Sequence, residues 1–393
     1  MPTATQSNLD FSNTELAFKA KSDRQLTKAY WLFKAIGIPW LNAIGPKMLM
    51  LALNMRLPVK GLVKNTLFEL FCGGETLAET GETSKYLFQY NVRTILDYSV
   101  EGEKNEAGFD ETRDEIIKAF QHAAAYPEVA FCACKVTGVG DFDILAKKQT
   151  DQPLSGAEAA SFQRTYDRLD AICRAAVEAK TPVFIDAEES WIQDTIDAMA
   201  EEMMARYNQD NAWVSTTVQL YRHDRLAYLA DLIERSKAAG YQLGVKVVRG
   251  AYLEKENARA EEQGYATPMQ ANKAATDHDY NDALRLCMKN IPHVHICAGT
   301  HNEASSRLLA ELMDEHGIEP GHTNVLFSQL LGMSDNISFN LGHGGYNTAK
   351  YLPYGPVKAV MPYLIRRAQE NTSVAGQAGR ELQLLSKERK RRK

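Results

Sequence analysis

Polar side chains with catalytic potential stand at the end of, or just after, successive short apolar runs of this sequence. They are Lys135, Asp186, Gln219, Lys246, Arg249, Tyr252, Thr300, His301, Asn302, Gln329 and Tyr351. Two adjacent arginines, Arg366 and Arg367, lie in a later helical segment. Lysines and arginines that are held in place bind carboxylates and phosphates. The set therefore predicts a carboxylate substrate and a cofactor that bears phosphate groups.

Two other chemistries use residues of the same set. Asp186, Glu188 and His301 could ligate a divalent cation, but the neighbouring basic side chains would compete for the two carboxylates. Lys135 and Lys246 keep a class I aldolase open, in which a lysine amine forms a Schiff base with the substrate. A carboxylate substrate with a phosphate-bearing cofactor accounts for more of the residues, and we prefer this interpretation.

The elements that must position these residues alternate along the chain. Short apolar or β-branched runs are separated by longer segments with apolar residues at helical spacing. The runs cover 93–100, 129–137, 182–188, 213–221, 244–249, 293–300, 323–329 and 349–354. Apolar strands that alternate with helices predict a parallel sheet, and this number of strands predicts an α/β fold of the (βα)8 TIM-barrel type. Active sites of such barrels lie at the carboxyl ends of the strands, where the candidate residues stand.

The remainder of the chain gives the domain organisation and excludes some classes of protein. We predict a helical N-terminal arm over 1–86, the barrel over 87–372 and a polar, basic, solvated C-terminal tail over 373–393. The net charge of −5 argues against a general nucleic-acid-binding protein. No apolar run reaches the ~20 residues that span a bilayer, and the N-terminal residues lack a signal-peptide core. We therefore expect a cytoplasmic protein.

Six sequence stretches together carry a resemblance to a known family. They are FIDAEES (184–190), VKVVRGAYLEKE (245–256), THNE (300–303), FSQLLGM (327–333), KYLPYGPV (350–357) and PYLIRRAQEN (362–371). With these motifs the sequence resembles the proline dehydrogenase family, whose flavin-binding domain also occurs in bifunctional proline utilisation proteins. The resemblance implies a barrel that binds FAD and oxidises L-proline to Δ1-pyrroline-5-carboxylate, the first step of proline catabolism.

The resemblance also implies which residues bind the substrate. Arg366 and Arg367 match the pair that clamps the substrate carboxylate, for which a planar guanidinium fork is well suited. Lys135 resembles the third cationic contact to the carboxylate, with Asp186 beside it to hold the ammonium group. Proline bound in this way would lose the proton of its nitrogen and transfer a hydride from C5 to the flavin.

Two further positions bear on substrate choice and on closure of the site. Tyr351 matches a position that packs against the substrate ring, where a tyrosine crowds a 4-hydroxyl group. Proline is therefore favoured, and a hydroxyproline-selective dehydrogenase is the nearest alternative. Glu101 matches a position that forms an ion pair with an arginine when the site closes.

For FAD, the resemblance implies contacts from several strand ends. Lys246 matches a cation near the reactive N5 edge, where some relatives have arginine, and Arg249 matches a basic residue at the pyrophosphate. Gly250 allows a close approach of the backbone. The other positions assigned to the cofactor are Gln219, Tyr252, Thr276, Thr300, His301, Asn302, Gln329 and Glu370. Because the expected polar positions are filled, a non-catalytic flavin-binding scaffold is disfavoured.

The segment 24–68 differs in charge from the rest of the chain. It contains seven basic and no acidic residues, and with a net charge of −5 for the whole chain this leaves −12 for the remainder. It is also rich in aromatic and long aliphatic side chains. Two interpretations stay open. One is a helical arm packed on the barrel, and the other is a surface that docks peripherally on the anionic cytoplasmic face of the inner membrane and delivers electrons to a quinone.

Overall fold

A computed structural model of the chain describes residues 9–38, 45, 48, 49, 55, 60–99, 105–373 and 377–393. Eight strands lie within these ranges: β1 (Val92–Tyr98), β2 (Val129–Cys134), β3 (Val183–Ile185), β4 (Val214–Gln219), β5 (Leu243–Val248), β6 (Val294–Gly299), β7 (Val325–Leu330) and β8 (Thr348–Tyr354). They follow one another in chain order around a closed parallel barrel. This topology confirms the predicted (βα)8 fold.

Helices precede the first strand and connect the others. In the described ranges they are α1 (Thr14–Ala17), α2 (Asp23–Ile36), α3 (Lys60–Val63, continued by a π-helical turn over Lys64–Phe68 and by Glu69–Phe71), α4 (Leu77–Phe88), α5 (Glu106–Ala124), α6 (Phe142–Gln149), α7 (Gly156–Glu178), α8 (Ser190–Tyr207), α9 (Arg225–Ala239), α10 (Leu253–Gln263), α11 (Lys273–Lys289), α12 (Glu303–Glu315), α13 (Asp335–His343), α14 (Val357–Ser373) and α15 (Gln377–Arg391). None of them combines the length and the hydropathy needed to cross a membrane.

Local sequence signals set where several of these helices begin and end. Ser155 and Glu158 form a reciprocal capping box at the start of α7. The side chain of Asn302 accepts a hydrogen bond from the backbone N–H of Ser305 and so begins α12 directly after β6. Gly240 ends α9 with a φ of 77°, a left-handed conformation that glycine adopts without strain. The loops that carry candidate residues therefore join well-defined elements.

The chain divides into two compact units, which we call the central unit and the terminal unit. The central unit comprises the described residues of Gly102–Ser328, and the terminal unit comprises those of Asn8–Glu101 and Gln329–Lys393. Strands of the central unit are almost wholly buried, as expected for parallel strands covered on both faces. Phe131 and Phe184 stack on neighbouring strands with their ring centroids 4.2 Å apart.

In the terminal unit, β1 and β8 pair in parallel, and their side chains alternate between two faces. Thr94 hydrogen-bonds to Ser84 of α4, and its register partner Lys350 contacts Asp335 of α13, so both point outward to the helices. The next pair in register, Ile95 and Tyr351, must therefore face the barrel interior. This alternation fixes the direction of the predicted substrate contact Tyr351.

The C-terminal residues differ from the solvated tail that we expected. Most of them form α15, which packs against α2 and buries Leu384 and Leu385 in a cluster with Phe33 and Leu364. Glu388 of the same helix is fully buried and accepts hydrogen bonds from Arg391 and Arg392. The dense charge of this segment hid an amphipathic helix, because its apolar residues are few but fall on one face.

Candidate active site

Three charged residues meet at the carboxyl ends of β2, β3 and β5 in the central unit. Lys135 directly follows β2, Asp186 directly follows β3, and Lys246 belongs to β5. The ammonium group of Lys246 donates to Asp186, and Nζ of Lys135 lies 3.6 Å from Oδ2 of the same carboxylate. Lys246 is 6% exposed, whereas the side chain of Lys135 is 20% exposed. Two ammonium groups thus contact one carboxylate, and cations held in place in this way are suitable partners for a carboxylate ligand.

The register of the strands explains why these residues converge. Cys134 pairs with Ile185, and the backbone N–H of Asp186 donates to the carbonyl of Cys134 over 2.9 Å, so Lys135 and Asp186 leave the sheet side by side. The ammonium group of Lys246 lies 4.9 Å from the ring centroid of Phe184, on the same face of the sheet as Asp186. The sequence predicted Lys135 beside Asp186 and assigned Lys246 to the cofactor, and the structure places both lysines on one aspartate.

A buried carboxyl group lies beside this cluster. Glu188 accepts hydrogen bonds from the backbone N–H of Thr137, at 3.0 Å, and from its hydroxyl group. Burial raises the pKa of Glu188 to about 7, although the Thr137 hydrogen bonds lower it in part. Glu189 adds to the increase and Lys135 opposes it. Glu188 therefore changes protonation near neutral pH.

The backbone carbonyl of Glu188 is hydrogen-bonded to Gln219, one of the predicted cofactor residues. Nε2 of Gln219 donates to the carbonyl of Glu188 over 2.8 Å, and its Oε1 accepts from the backbone N–H of Ala251 over 3.3 Å. Gly250 has a φ of 141°, and a Cβ atom there would lie 2.5 Å from the ring of Tyr221. Only glycine fits, because the ring of Tyr221 fills the space in which a side chain would begin.

Arg249 is held by a set of polar groups. Its Nε donates to Asp277 over 2.6 Å, Nη1 to the hydroxyl of Thr300 over 2.7 Å and Nη2 to that of Ser305 over 2.9 Å. The ring of Tyr280 lies 4.3 Å from its guanidinium carbon. Burial would raise the pKa of Asp277, but the hydrogen bonds from Lys273 and Arg249 outweigh it and lower that pKa. The guanidinium group is thus fixed in orientation as well as charged.

The remaining candidates of the central unit surround Arg249 in sequence or in space. Thr300 also accepts from the backbone N–H of Asn302, over 3.1 Å, and so links the guanidinium group to the start of α12. His301 between them is half-buried. Thr276 is buried in the first turn of α11, and Tyr252 is half-buried at the start of α10. Their predicted contacts to a cofactor stay predictions.

Two candidates of the terminal unit lie on strands. Tyr351 is buried on the inward face of β8, and its carbonyl accepts from the backbone N–H of Leu331 over 3.0 Å. Gln329 is buried, and its Oε1 accepts from the hydroxyl of Ser338 over 2.7 Å. The side chain of Gln329 is thus held by a neighbour of its own unit.

The predicted carboxylate clamp lies on α14. Arg367 is buried, with its guanidinium carbon 5.1 Å from the ring centroid of Tyr363 one turn earlier, and Arg366 is half-buried. Glu101 lies outside the described residues, as does the side chain of Glu370. The roles proposed for these two glutamates therefore stay predictions.

The residues that the resemblance assigns to FAD fit a group with phosphates and hydroxyls. Gln219, the Ala251 N–H, Arg249 and Thr300 form a run of hydrogen-bonding groups at the ends of β4, β5 and β6. By contrast, the described part of the chain contains no group of three or more His, Cys, Asp or Glu residues that could hold a metal ion.

Some functional contacts were missed from the sequence. Asp277 and Ser305 hold Arg249 but lie far from it along the chain and outside the six stretches that carry the family resemblance. The contact between Glu188 and Thr137 also spans two strands. A stronger signal was present for Glu188 itself, because it belongs to the FIDAEES stretch directly after β3.

Comparisons with known proteins show which family the chain resembles. Residues 80–380 match the profile of the family described as Proline dehydrogenase. The chain is 32% identical over 323 residues to the carbapenem antibiotics biosynthesis protein CarD of Pectobacterium carotovorum subsp. carotovorum, which covers 82% of this chain and 84% of that protein. It is 29% identical to the mitochondrial proline dehydrogenase 1 of Dictyostelium discoideum, over 100% of this chain and 77% of that protein.

A relative with another substrate in its name and a solved structure complete the comparison. The hydroxyproline dehydrogenase of Xenopus laevis is 30% identical over 98% of this chain and 91% of its own length. The proline utilization A protein of Bdellovibrio bacteriovorus, solved after inactivation by N-propargylglycine, superposes with a TM-score of 0.73 at 19% identity. That match covers 94% of this chain but 40% of the larger protein, and it shows a shared fold.

Proposed function

The chain belongs to the proline dehydrogenase family, and we propose that it oxidises L-proline to Δ1-pyrroline-5-carboxylate with FAD as the oxidant. The family makes it an oxidoreductase that acts on proline. The observation that carries the finer proposal is the cluster of Lys135, Asp186 and Lys246, two cations on one carboxylate at the carboxyl ends of the strands. A zwitterionic amino acid needs charges of both signs in its site, and this cluster contains both.

Substrate binding follows from these charges. Lys135, the more exposed of the two lysines, would contact the carboxylate of proline. Asp186 would hold the ammonium group, while Lys246 keeps the aspartate in place from the buried side. Arg366 and Arg367 stay the predicted clamp on the substrate carboxylate. Because the charges are fixed before the substrate arrives, binding orients the ring without reorganising the protein.

Oxidation removes one hydride from C5 and one proton from the nitrogen, which leaves a C=N bond. When bound, FAD would supply the two-electron oxidation. Arg249 and Gln219, which accepts from the N–H of Ala251, would hold the cofactor from the ends of β4 and β5. The part of the protein is to bind both molecules, to orient C5 and to exclude water.

The decisive experiment uses the purified protein. We expect it to be yellow, to release FAD on denaturation, and to lose its visible absorbance anaerobically when L-proline is added, with pyrroline-5-carboxylate as the product by mass spectrometry. D-proline serves as the control and should leave the spectrum unchanged. A colourless protein that borohydride traps covalently with a carbonyl substrate would replace the proposal with a lysine-dependent aldolase.

A hydroxyproline-selective dehydrogenase is the second candidate, since a relative of similar identity carries that name. The observation that favours proline is Tyr351, a bulky side chain on the inward face of β8. If 4-hydroxyproline bleached the flavin with a higher kcat/KM than proline, the substrate assignment would change, and the fold and the cofactor would be unaffected.

We further propose that the reduced flavin passes its electrons to a quinone at an anionic membrane surface, from a peripheral cytoplasmic position. Two observations on the basic segment support this idea. Trp31 of α2 is 56% exposed, and the ammonium group of Lys34 lies 4.9 Å from its ring. On the other hand, α2 buries Leu26 and Phe33, and Lys28 pairs with Glu69 over 2.5 Å, as a packed arm would.

Vesicle co-sedimentation decides between the two interpretations of this segment. The membrane proposal predicts binding to anionic vesicles at low salt, release at high salt, and loss of binding in a Trp31→Ala, Lys34→Ala double variant. Neutral vesicles are the control. Equal partitioning onto both kinds of vesicle, or no binding at low salt, leaves only the packed arm.

A further inference from the structure

The carboxyl group of Glu188 accepts hydrogen bonds from the segment directly after Lys135. Thr137 lies in the short turn Val136–Gly138, which begins immediately behind the lysine. Both carboxyl oxygens of Glu188 are used on this one residue, one by its backbone N–H and one by its hydroxyl group. The turn therefore holds a fixed position relative to β3, and so does the backbone from which the side chain of Lys135 extends.

The main chain of Glu188 holds a second element. Its carbonyl accepts from Gln219 at the end of β4, and Gln219 in turn accepts from the backbone N–H of Ala251, next to Gly250. A single residue after β3 thus connects the segment that bears Lys135 with the turn assigned to the cofactor. The two connections use different atoms, which makes them separable by mutation.

Glu188 is itself anchored from the helix that follows it. Its backbone N–H donates to Gln193 over 2.7 Å, and Gln193 donates to Asp197 over 2.8 Å. Asp197 is paired with Arg225 of α9 over 2.6 Å. All of these side chains are buried, so the anchor is rigid and shielded from water.

We infer that Glu188 is a positioning residue, whose carboxyl group fixes Lys135 for the substrate and whose carbonyl group fixes Gln219 for the cofactor. At 3% exposure Glu188 acts through the residues it holds and not on the substrate. The inference rests on the proposed function, in which Lys135 and Gln219 serve proline and FAD. It predicts that a side-chain substitution at Glu188 weakens proline binding and leaves FAD binding intact.

The test measures kcat and KM for proline, and the dissociation constant of FAD by fluorescence titration of the apoprotein. Glu188→Ala should raise KM at least about tenfold with kcat within about threefold, because a lost contact made equally in ground and transition states appears in KM. Thr137→Val, which removes only the hydroxyl group, should raise KM about threefold. Glu188→Gln should restore a KM near that of the wild type, since an amide can bond to both groups of Thr137.

Glu189→Gln is the matched control, a neighbouring buried glutamate that pairs with Lys255 instead. It should leave KM unchanged. All Glu188 variants should retain the FAD dissociation constant within about twofold, because the backbone carbonyl of residue 188 survives every side-chain change. Gln219→Leu, by contrast, should raise this dissociation constant. If Glu188→Ala does not fold, Thr137→Val carries the test alone.

An unchanged KM in folded Glu188→Ala and Thr137→Val would overturn the inference. So would a parallel rise of KM and of the FAD dissociation constant in these variants, which would indicate general loosening of the barrel. Failure of the proposed function looks different: the wild-type protein itself would then not be bleached by L-proline.

Discussion

Two lysine–aspartate clusters, one in each unit, use the same residue types for different ends. In the central unit, Asp186 is shared by Lys246 and the partly exposed Lys135. In the terminal unit, Lys350 is 0% exposed and donates to Asp335 over 2.9 Å and to the carbonyl of Met333 over 2.5 Å. Asp335 pairs in addition with Lys21, over 3.0 Å.

The terminal cluster also contains a second carboxyl group. Glu381 of α15 accepts from the backbone N–H of Ser334 over 2.5 Å. Burial would raise the pKa of Asp335, but Lys21 and Lys350 together lower it to about 2. Burial raises the pKa of Glu381 to about 7, and the charge of Asp335 adds to the increase. The cluster joins β8, α13 and α15, and Lys21 adds a second cation to it.

The comparison teaches that position in the barrel, more than the residue types, distinguishes a candidate binding site from a structural cluster. The central cluster stands at the carboxyl ends of its strands, where the active sites of such barrels lie. In the terminal cluster, Lys350 points away from the barrel interior and pairs with Asp335 of α13. A buried ion pair contributes little net stability but is costly to break, so we expect mutations in the two clusters to damage different properties.

The largest expected effect is on stability, in the terminal cluster. Asp335→Asn leaves Lys350 and Lys21 without their shared carboxylate and should lower the free energy of unfolding in urea by about 3–5 kcal/mol. The kcat/KM of the folded fraction should stay near that of the wild type. The double variant Asp335→Asn, Lys350→Met should recover part of the loss, since it removes the buried charge. Equal losses in single and double variants would contradict a charge effect.

The central cluster should respond in activity instead. Lys135→Met removes a mostly buried cation and should lower kcat/KM for proline by about 30-fold or more, from the ~2–5 kcal/mol typical of a desolvated charge contact. Stability should change by less than about 1 kcal/mol. Lys237→Met, in an exposed pair with Glu234, is the control and should change neither quantity. If Lys135→Met lowered the free energy of unfolding as much as Asp335→Asn, the two clusters would not differ in their effects on activity and stability.

A smaller effect tests geometry against charge. Arg366→Lys and Arg367→Lys keep the positive charge but lose the planar fork, so each should weaken proline binding about tenfold in an anaerobic bleaching titration. The predicted contacts to the substrate carboxylate are a lysine at position 135 and arginines at positions 366 and 367. The substitutions test whether the planar guanidinium group is required at the two arginine positions. Affinities within twofold of the wild type in both variants would remove the two arginines from the site.

Neighbouring residues of β8 allow a sharper version of the comparison. Lys350 points outward into the structural cluster, whereas Tyr351 points inward. Tyr351→Ser should shift the ratio of kcat/KM values toward 4-hydroxyproline by about 1 kcal/mol, because space opens beside C4 of the ring. FAD content should not change. A constant ratio would show that Tyr351 does not line the ring pocket.

The smallest effect concerns the pH dependence of stability. The pKa of Glu381 in the folded state is about 7, above the 4.5 of the free group, so its stabilising contribution is complete below pH 4.5 and is lost as the pH rises through 7. Glu381→Gln still accepts from Ser334 and removes this dependence. The Tm of the variant minus the Tm of the wild type should therefore be larger at pH 8 than at pH 5. The same Tm difference at both pH values would be inconsistent with titration of Glu381.

The fold followed from the sequence alone, and the sequence also predicted at which end of the barrel the site lies. Apolar runs that alternate with amphipathic helices specify a parallel barrel because burial acts through local periodicity, which a sequence displays directly. Parallel strands bring their carboxyl ends to one rim, so Lys135, Asp186 and Lys246 were predicted at the same end of the barrel, but the pairing of Lys246 with Asp186 was not predicted. The family motifs agree with that placement.

The tertiary structure alone decided which charges pair. Asp277 holds Arg249, Asp335 holds Lys350, and Glu388 anchors the arginines at the end of α15. Each of the first two partnerships joins residues from separate elements, and the side chains carry no mark of their partners in the sequence. Ion pairs form wherever packing brings opposite charges together, and that proximity is a property of the assembled barrel. For the same reason, the charge-rich C-terminal segment looked like a solvated tail until the burial of its two leucines was seen.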